Sequence, residues 1–179
     1  MSATRGPEGG PSVESVRPAG PGDLARCVDL VAAAQAEAGT VRGGELLAVL
    51  GAVPTAAHGS PGTEGWADPG ALVDAWASGD PSRVLLVGLY EGAIVGIGTG
   101  HLVEGHARHI GRIDCCYVEP GARQVGVGAA LITGLLDWFS ERNCSDVDSV
   151  ALPGDRATKQ LLETAGFKAR LLVLHRPLG

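Results

Sequence analysis

The chain has 179 residues, 45% of them hydrophobic and 4% aromatic, with 14 basic against 20 acidic side chains for a formal charge of −6. That length matches one domain able to bury a core. The acidic balance excludes a nucleic-acid sleeve or a binder of anionic membranes, both of which need surplus Lys and Arg. No apolar run approaches the ~18 residues that span a bilayer, and the residues after Met1 lack a signal-peptide core. A cytoplasmic protein with no nucleic-acid and no membrane partner is the expectation.

There are 28 glycines and 11 prolines, about a fifth of the chain against a usual ~12%. Nine of them fall in the first 22 residues and ten more between Thr40 and Gly70. Residues 1–12 read as a disordered tail, and residues 13–179 as one domain with a mobile insertion at about 40–82. The four cysteines, Cys27, Cys115, Cys116 and Cys144, include no Cys-x-x-Cys pair. Neighbouring side chains on a strand point to opposite faces, so Cys115 and Cys116 do not suit a zinc site or a disulfide, and no metal is expected.

In chain order, Val13–Arg17 reads as a strand. Asp23 then opens a helix with Leu24, Cys27, Val28, Val31 and Ala34 at helical spacing and Gly39 as its stop. Inside the insertion, Glu45–Leu50 allows a turn of helix, and Asp68-Pro69 opens another with Leu72, Val73 and Trp76 inward. Val84–Tyr90, the turn Glu91-Gly92, and Ala93–Val103 form a β-hairpin. Ile110–Val118 is a further strand. Gly126 to about Arg142 is a helix whose Leu131, Leu135, Trp138, Ile132, Leu136 and Phe139 make one wide apolar stripe. A strand at Val147–Leu152, a helix opened by Asp155 and closed by Gly166, and a strand at Phe167–His175 complete an α/β (α+β) pattern with a mixed sheet.

Chemistry concentrates in Val118-Glu119-Pro120-Gly121-Ala122-Arg123-Gln124-Val125-Gly126-Val127-Gly128-Ala129. A strand ends, and two glycines one residue apart open a helix. The first N–H groups of a helix lack internal partners and the macrodipole there is positive, so the place attracts phosphate. Glycines remove the Cβ atoms that would hold a diphosphate away from those amides. Close helix–sheet packing is the competing explanation of Gly126 and Gly128. A Walker A loop is missing, and the dinucleotide fingerprint would need a third glycine where Leu131 stands.

Arg123-x-x-Gly126-x-Gly128, after a strand ending Val118-x-Pro120, resembles the acetyl-CoA loop of the GNAT superfamily of acyl-CoA N-acyltransferases. Downstream, Asp155, Leu161-Leu162 and Gly166-Phe167 fall where the family often shows Asn, Leu-Tyr and Gly-Phe. Upstream, Val16-Arg17-Pro18-Ala19 and Asp23-Leu24 resemble its first strand and the entry to its first helix. The resemblance implies a mixed, mostly antiparallel sheet of about six strands, flanked by helices, with splayed central strands. It also implies acetyl-CoA as co-substrate. Backbone groups of Cys116 and Val118 would hold pantetheine, and Arg123 with the amides of Gln124, Val125, Gly126, Val127, Gly128 and Ala129 would hold pyrophosphate.

The implied chemistry is direct attack of an amine, on a small molecule or a protein, upon the thioester; a homodimer is left open. Leu162 stands where the family's tyrosine acid usually stands and cannot donate a proton. Asp155 replaces the asparagine, as a helix N-cap or beside the cofactor. Asp114, read as sharing a strand face with Cys116 and Val118, and Glu104, acting through water, are the candidate bases. Tyr117 is read onto the opposite face from Asp114 unless a bulge turns it. His101, His106 and His109 read as exposed loop histidines, with base and metal roles as alternatives. Acetyl transfer therefore stands against a non-catalytic acyl-CoA-binding module that lost the acid.

Overall fold

The computed structural model describes residues 14–44, 47, 67–103, 109–171, 174 and 176. Five strands form one sheet in the order β1-β2-β3-β4-β5: β1 (Glu14–Pro18), β2 (Arg83–Tyr90), β3 (Ala93–Val103), β4 (Ile110–Val118) and β5 (Asp146–Asp148). The first four run antiparallel to their neighbours, and β5 runs parallel to β4. Glu91 and Gly92, with φ of 50° and 82°, make the β2–β3 turn left-handed at both central residues, which matches the twist of the flanking strands.

Four helices cover the described sheet: α1 (Leu24–Thr40), α2 (Pro69–Ala77), α3 (Val127–Glu141) and α4 (Arg156–Thr164). On one face, Cys27, Leu30 and Val31 of α1 and Leu72, Val73 and Trp76 of α2 bury against Leu85, Val87 and Ile97. On the other, Val127, Leu131, Ile132, Leu135 and Phe139 of α3 bury with Val84, Leu86, Ile113 and Leu162 of α4. Glycines on the strands seat α3 close to the sheet. A methyl group on Gly88 would lie 2.6 Å from Val127 Cγ1, and one on Gly100 would lie 2.7 Å from the Arg112 carbonyl and 2.8 Å from Phe139.

β2, β3, β4 and α3 begin and end within about a residue of the expected limits. The C-terminal third departs from expectation. The strand expected over Val147–Leu152 is three residues long, because its only pairs are Ile110↔Asp146, Gly111↔Val147 and Arg112↔Asp148. Beyond Asp148 the chain turns away from β4 and loses its ladder partner. Residues 167–171 of the expected last strand are not strand, and Arg170 instead forms an ion pair with Asp148. The described sheet thus has five strands against about six expected. The expected tail lies outside the described residues, as does the turn at Glu45–Leu50 apart from Leu47.

Candidate active site

The departure of β5 from β4 makes the site. From Ile113 to Val118 the β5 side of β4 has no strand paired to it among the described residues. The central sheet opens there into a wedge, and its free backbone edge can receive an extended chain as an added strand.

At the end of the wedge, Pro120–Ala122 form one 3-10 turn and Arg123 returns to an extended conformation. Gln124 (φ 68°) and Gly126 (φ 95°) are both left-handed, so two of the three residues before α3 reverse the chain. Gly126 is the N-cap of α3 and brings no capping side chain. The N–H groups that open α3 have no acceptor within the helix and sit at its positive pole. A Cβ on Gly126 would lie 3.3 Å from the Glu14 carboxylate, and one on Gly128 would lie 3.3 Å from the flexible end of Leu161. Neither loop glycine lies under the sheet backbone as Gly100 does. Gly126 is required by its backbone conformation, and close helix–sheet packing does not account for it.

Arg123 stands beside this loop with its guanidinium already engaged. Its Nε donates to the Val118 carbonyl at 2.9 Å and its Nη2 to Glu37 Oε2 at 2.6 Å. The same group lies 5.6 Å from the centre of the Tyr117 ring. It therefore ties the end of α1 to the end of β4, across the side of the wedge that Val118 was expected to offer to pantetheine. The Asp155 carboxylate accepts from the Thr158 N–H at 3.0 Å, as an N-cap of α4. Leu162 is 7% exposed and packed in the α3 core, with no group there to act as an acid.

The expectation for Asp114 needs correction. Thr99 pairs with Cys115 and Gly100 with Ile113, so Asp114 is the extra residue of a bulge in β4. A bulge shifts the alternation of the strand. Ile113, Cys116 and Val118 pack with the α3 core, while Cys115 and Tyr117 pack with the α1–α2 core. Asp114 turns to the α1–α2 face, where it meets His101 of β3. Its face is therefore that of Tyr117 and not that of Cys116 and Val118. The distance from His101 Nδ1 to Asp114 Oδ2 is 2.9 Å, with the carboxylate side chain 0% and the imidazole 27% exposed.

His101 is thus a strand residue with a buried partner and not an exposed loop histidine. The sequence offered no local signal for this pair, because one inserted residue changes every facing relation after it. His109 is exposed, with Nδ1 3.4 Å from the Arg142 carbonyl. Glu104 and His106 lie outside the described residues.

The two adjacent thiols do not suit nucleophilic catalysis. Burial pushes Cys116 up to about 12, and burial with the neighbouring Cys116 and Asp114 raises Cys115 further. Both stay protonated at neutral pH, whereas a nucleophilic cysteine needs its thiolate.

Solved structures share this arrangement of sheet and helices. A Trypanosoma brucei acetyltransferase matches with 20% identity and a TM-score of 0.58, over 92% of this chain and 99% of its own. The aminoglycoside acetyltransferase AAC(6')-Iy, solved with a CoA-containing bisubstrate analogue, matches with 15% identity and a TM-score of 0.62, over 92% and 97%. An aminoglycoside acetyltransferase from an uncultured soil metagenomic sample, solved with sisomicin, gives 16% identity and a TM-score of 0.59, over 93% and 96%. At these identities the likeness is one of fold. Comparison with curated proteins gives no match. The model of the acetyltransferase (GNAT) family matches residues 54–167, more than half of the chain and the whole wedge and loop, and the chain belongs to that family.

Proposed function

We propose that this protein transfers an acetyl group from acetyl-CoA to a primary amine by direct attack, as an N-acetyltransferase. The observation that carries the reading is the uncapped, left-handed entry to α3 at the end of the β4–β5 wedge. The amides from Gln124 to Ala129 would hold the pyrophosphate, and the edge of β4 along Cys116 and Val118 would hold the pantetheine arm once Arg123 Nε leaves the Val118 carbonyl. Arg123 would join the pyrophosphate contacts on leaving Glu37. The amine nitrogen then attacks the thioester carbonyl carbon, the C–N bond forms, and the C–S bond breaks with CoA leaving as thiolate. The raised thiols of Cys115 and Cys116 agree with direct transfer and not an acyl-enzyme. The acceptor is an amine on a small molecule or a protein.

A second reading rests on Leu162, which is buried where the family's acid usually stands. Under it the chain binds acyl-CoA without transferring the acyl group. Calorimetric titration with acetyl-CoA, using ADP and NAD as controls, tests what the two readings share. Release of CoA in the presence of sisomicin, spermidine or a peptide with a free N-terminus separates them. Binding without release in any of the three supports the second reading.

A further inference from the structure

We infer that the base of this site is His101, and that Asp114 is its positioning residue. The inference rests on the acetyltransferase reading and replaces Asp114 as the group that takes the proton.

Three observations carry it. The Asp114 side chain is 0% exposed, so an acceptor arriving from solvent cannot reach it, whereas the imidazole is partly open. One carboxylate oxygen, Oδ2, holds His101 Nδ1 at 2.9 Å. A buried carboxylate on one ring nitrogen fixes the tautomer with the proton on Nδ1 and the lone pair on Nε2. No described residue takes Nε2. The remaining carboxylate oxygen, Asp114 Oδ1, is buried without a partner, as are Thr99 Oγ1 and Trp76 Nε1 on the same side of the sheet. Orphaned buried polar atoms are costly, and their persistence on one face marks a place kept for something other than stability.

The bulge explains how the dyad meets the reaction. Ile113 faces α3, so alternation sets Asp114 on the face of His101, and the bulge is what parts that face from Cys116 and Val118. The inserted residue leaves Asp114 and Cys115 both on the α1–α2 face. The bulge lies two residues past the last β4–β5 pair, Arg112↔Asp148, where the wedge begins. Val118 lies four positions beyond Asp114, about 13 Å of strand. A pantetheine arm that starts at the α3 loop and runs back along β4 brings its thioester to this bulge.

The proton inventory closes. His101 Nε2 takes one proton from the acceptor ammonium, which frees the lone pair that attacks the carbonyl carbon. As the C–S bond breaks, the new amide nitrogen gives up a second proton to the departing CoA sulfur. The imidazolium then returns its proton to water, so each turnover yields an amide, CoA-SH and one proton.

The test is CoA release from acetyl-CoA with sisomicin, spermidine and a free-N-terminus peptide, in wild type and variants. His101→Ala should lose about a hundredfold or more in kcat, the usual contribution of a positioned base, with unchanged acetyl-CoA affinity. Added imidazole should restore part of that rate. Asp114→Asn should lose kcat without raising the KM for acetyl-CoA, and Asp114→Glu should regain part of the loss. In the nitrogen-15 spectrum, wild-type His101 should show its proton on Nδ1, and Asp114→Asn should mix the two tautomers. Wild-type kcat in His101→Ala overturns the inference while the acetyltransferase reading stands, and so does a loss that imidazole does not rescue. Failure of the wild type itself to release CoA overturns both.

Discussion

Helices α2 and α4 open on an aspartate that takes a helix amide: Asp68 on the Ala71 N–H at 2.9 Å and Asp155 on the Thr158 N–H at 3.0 Å. α3 opens on Gly126, which has nothing to offer, at φ 95°. All three ends carry the same positive pole and unpaired N–H groups. Where a carboxylate covers those groups, the helix end is finished as a piece of structure. Where glycine brings no cap beside a gap in the sheet, the same physics suits an anion, as the proposed function requires. The difference shows that α3 has traded a cap, worth typically ~1 kcal/mol, for access to its amides.

Gly126→Val tests that trade most severely. A β-branched residue at φ 95° is strained by roughly 1–3 kcal/mol, and its side chain would project toward the Glu14 carboxylate. Loss of two charge-assisted hydrogen bonds at about 1.5 kcal/mol each corresponds to roughly a hundredfold weaker acetyl-CoA binding. Calorimetry reads the affinity and a urea midpoint reads the strain. Wild-type affinity in a folded variant would break the comparison, since the amides would then have no anion to hold.

Gly111→Ala tests the other use of glycine around α3. A methyl group there runs into the Phe139 ring, and overpacking of this kind costs about 1–3 kcal/mol. Unfolding in urea should show the loss while acetyl-CoA affinity per folded molecule stays the same. A loss of affinity as large as that of Gly126→Val would mean that the seat and the entry of α3 are one functional unit.

Asp155→Ala separates cap from cofactor contact. As a cap, Asp155 should take about 1 kcal/mol of stability with it, leaving acetyl-CoA affinity unchanged or slightly higher once a negative charge near Arg123 is gone. A fall in affinity on titration would instead assign Asp155 to the cofactor.

How far the sequence carries these distinctions depends on the range of the interaction involved. The hairpin of β2 and β3 and the apolar stripe of α3 follow from local alternation and helical spacing, and both stand where expected. The entry to α3 was legible because a strand end, a loop and paired glycines lie within a dozen residues. The face of Asp114 was not legible. It depends on one extra residue in β4 relative to β3, and a register of that kind is written in the pairing of two strands, not in either one. The shortness of β5 has a similar origin, because the apolar residues Val150, Ala151 and Leu152 continue past Asp148 but have no ladder partner once β4 and β5 diverge. Arg123 has the right charge at the right place, yet Glu37, 86 positions away, holds it.

Asp23, at the opening of α1, extends the comparison to a fourth helix and gives the smallest expected effect. Its carboxylate takes the Gly20 N–H at 2.7 Å and the Arg17 guanidinium at 2.6 Å, outside the helix and not within it. The Arg17 hydrogen bond, then the Gly20 N–H, hold its carboxyl at about 2 against an ordinary 3.8. A carboxyl lowered on folding stabilises the folded state above its unfolded value and loses that contribution as pH falls through the folded value. The stability difference between wild type and Asp23→Asn should therefore be full above about pH 4, shrink between 4 and 2, and vanish below. The pair sits at the surface, so molar salt should reduce the difference at neutral pH. A difference that persists below pH 2 would place the effect in the neutral bond to the Gly20 N–H, and Asp23 would then act on its turn as Asp68 and Asp155 act on their helices, by shape more than by charge.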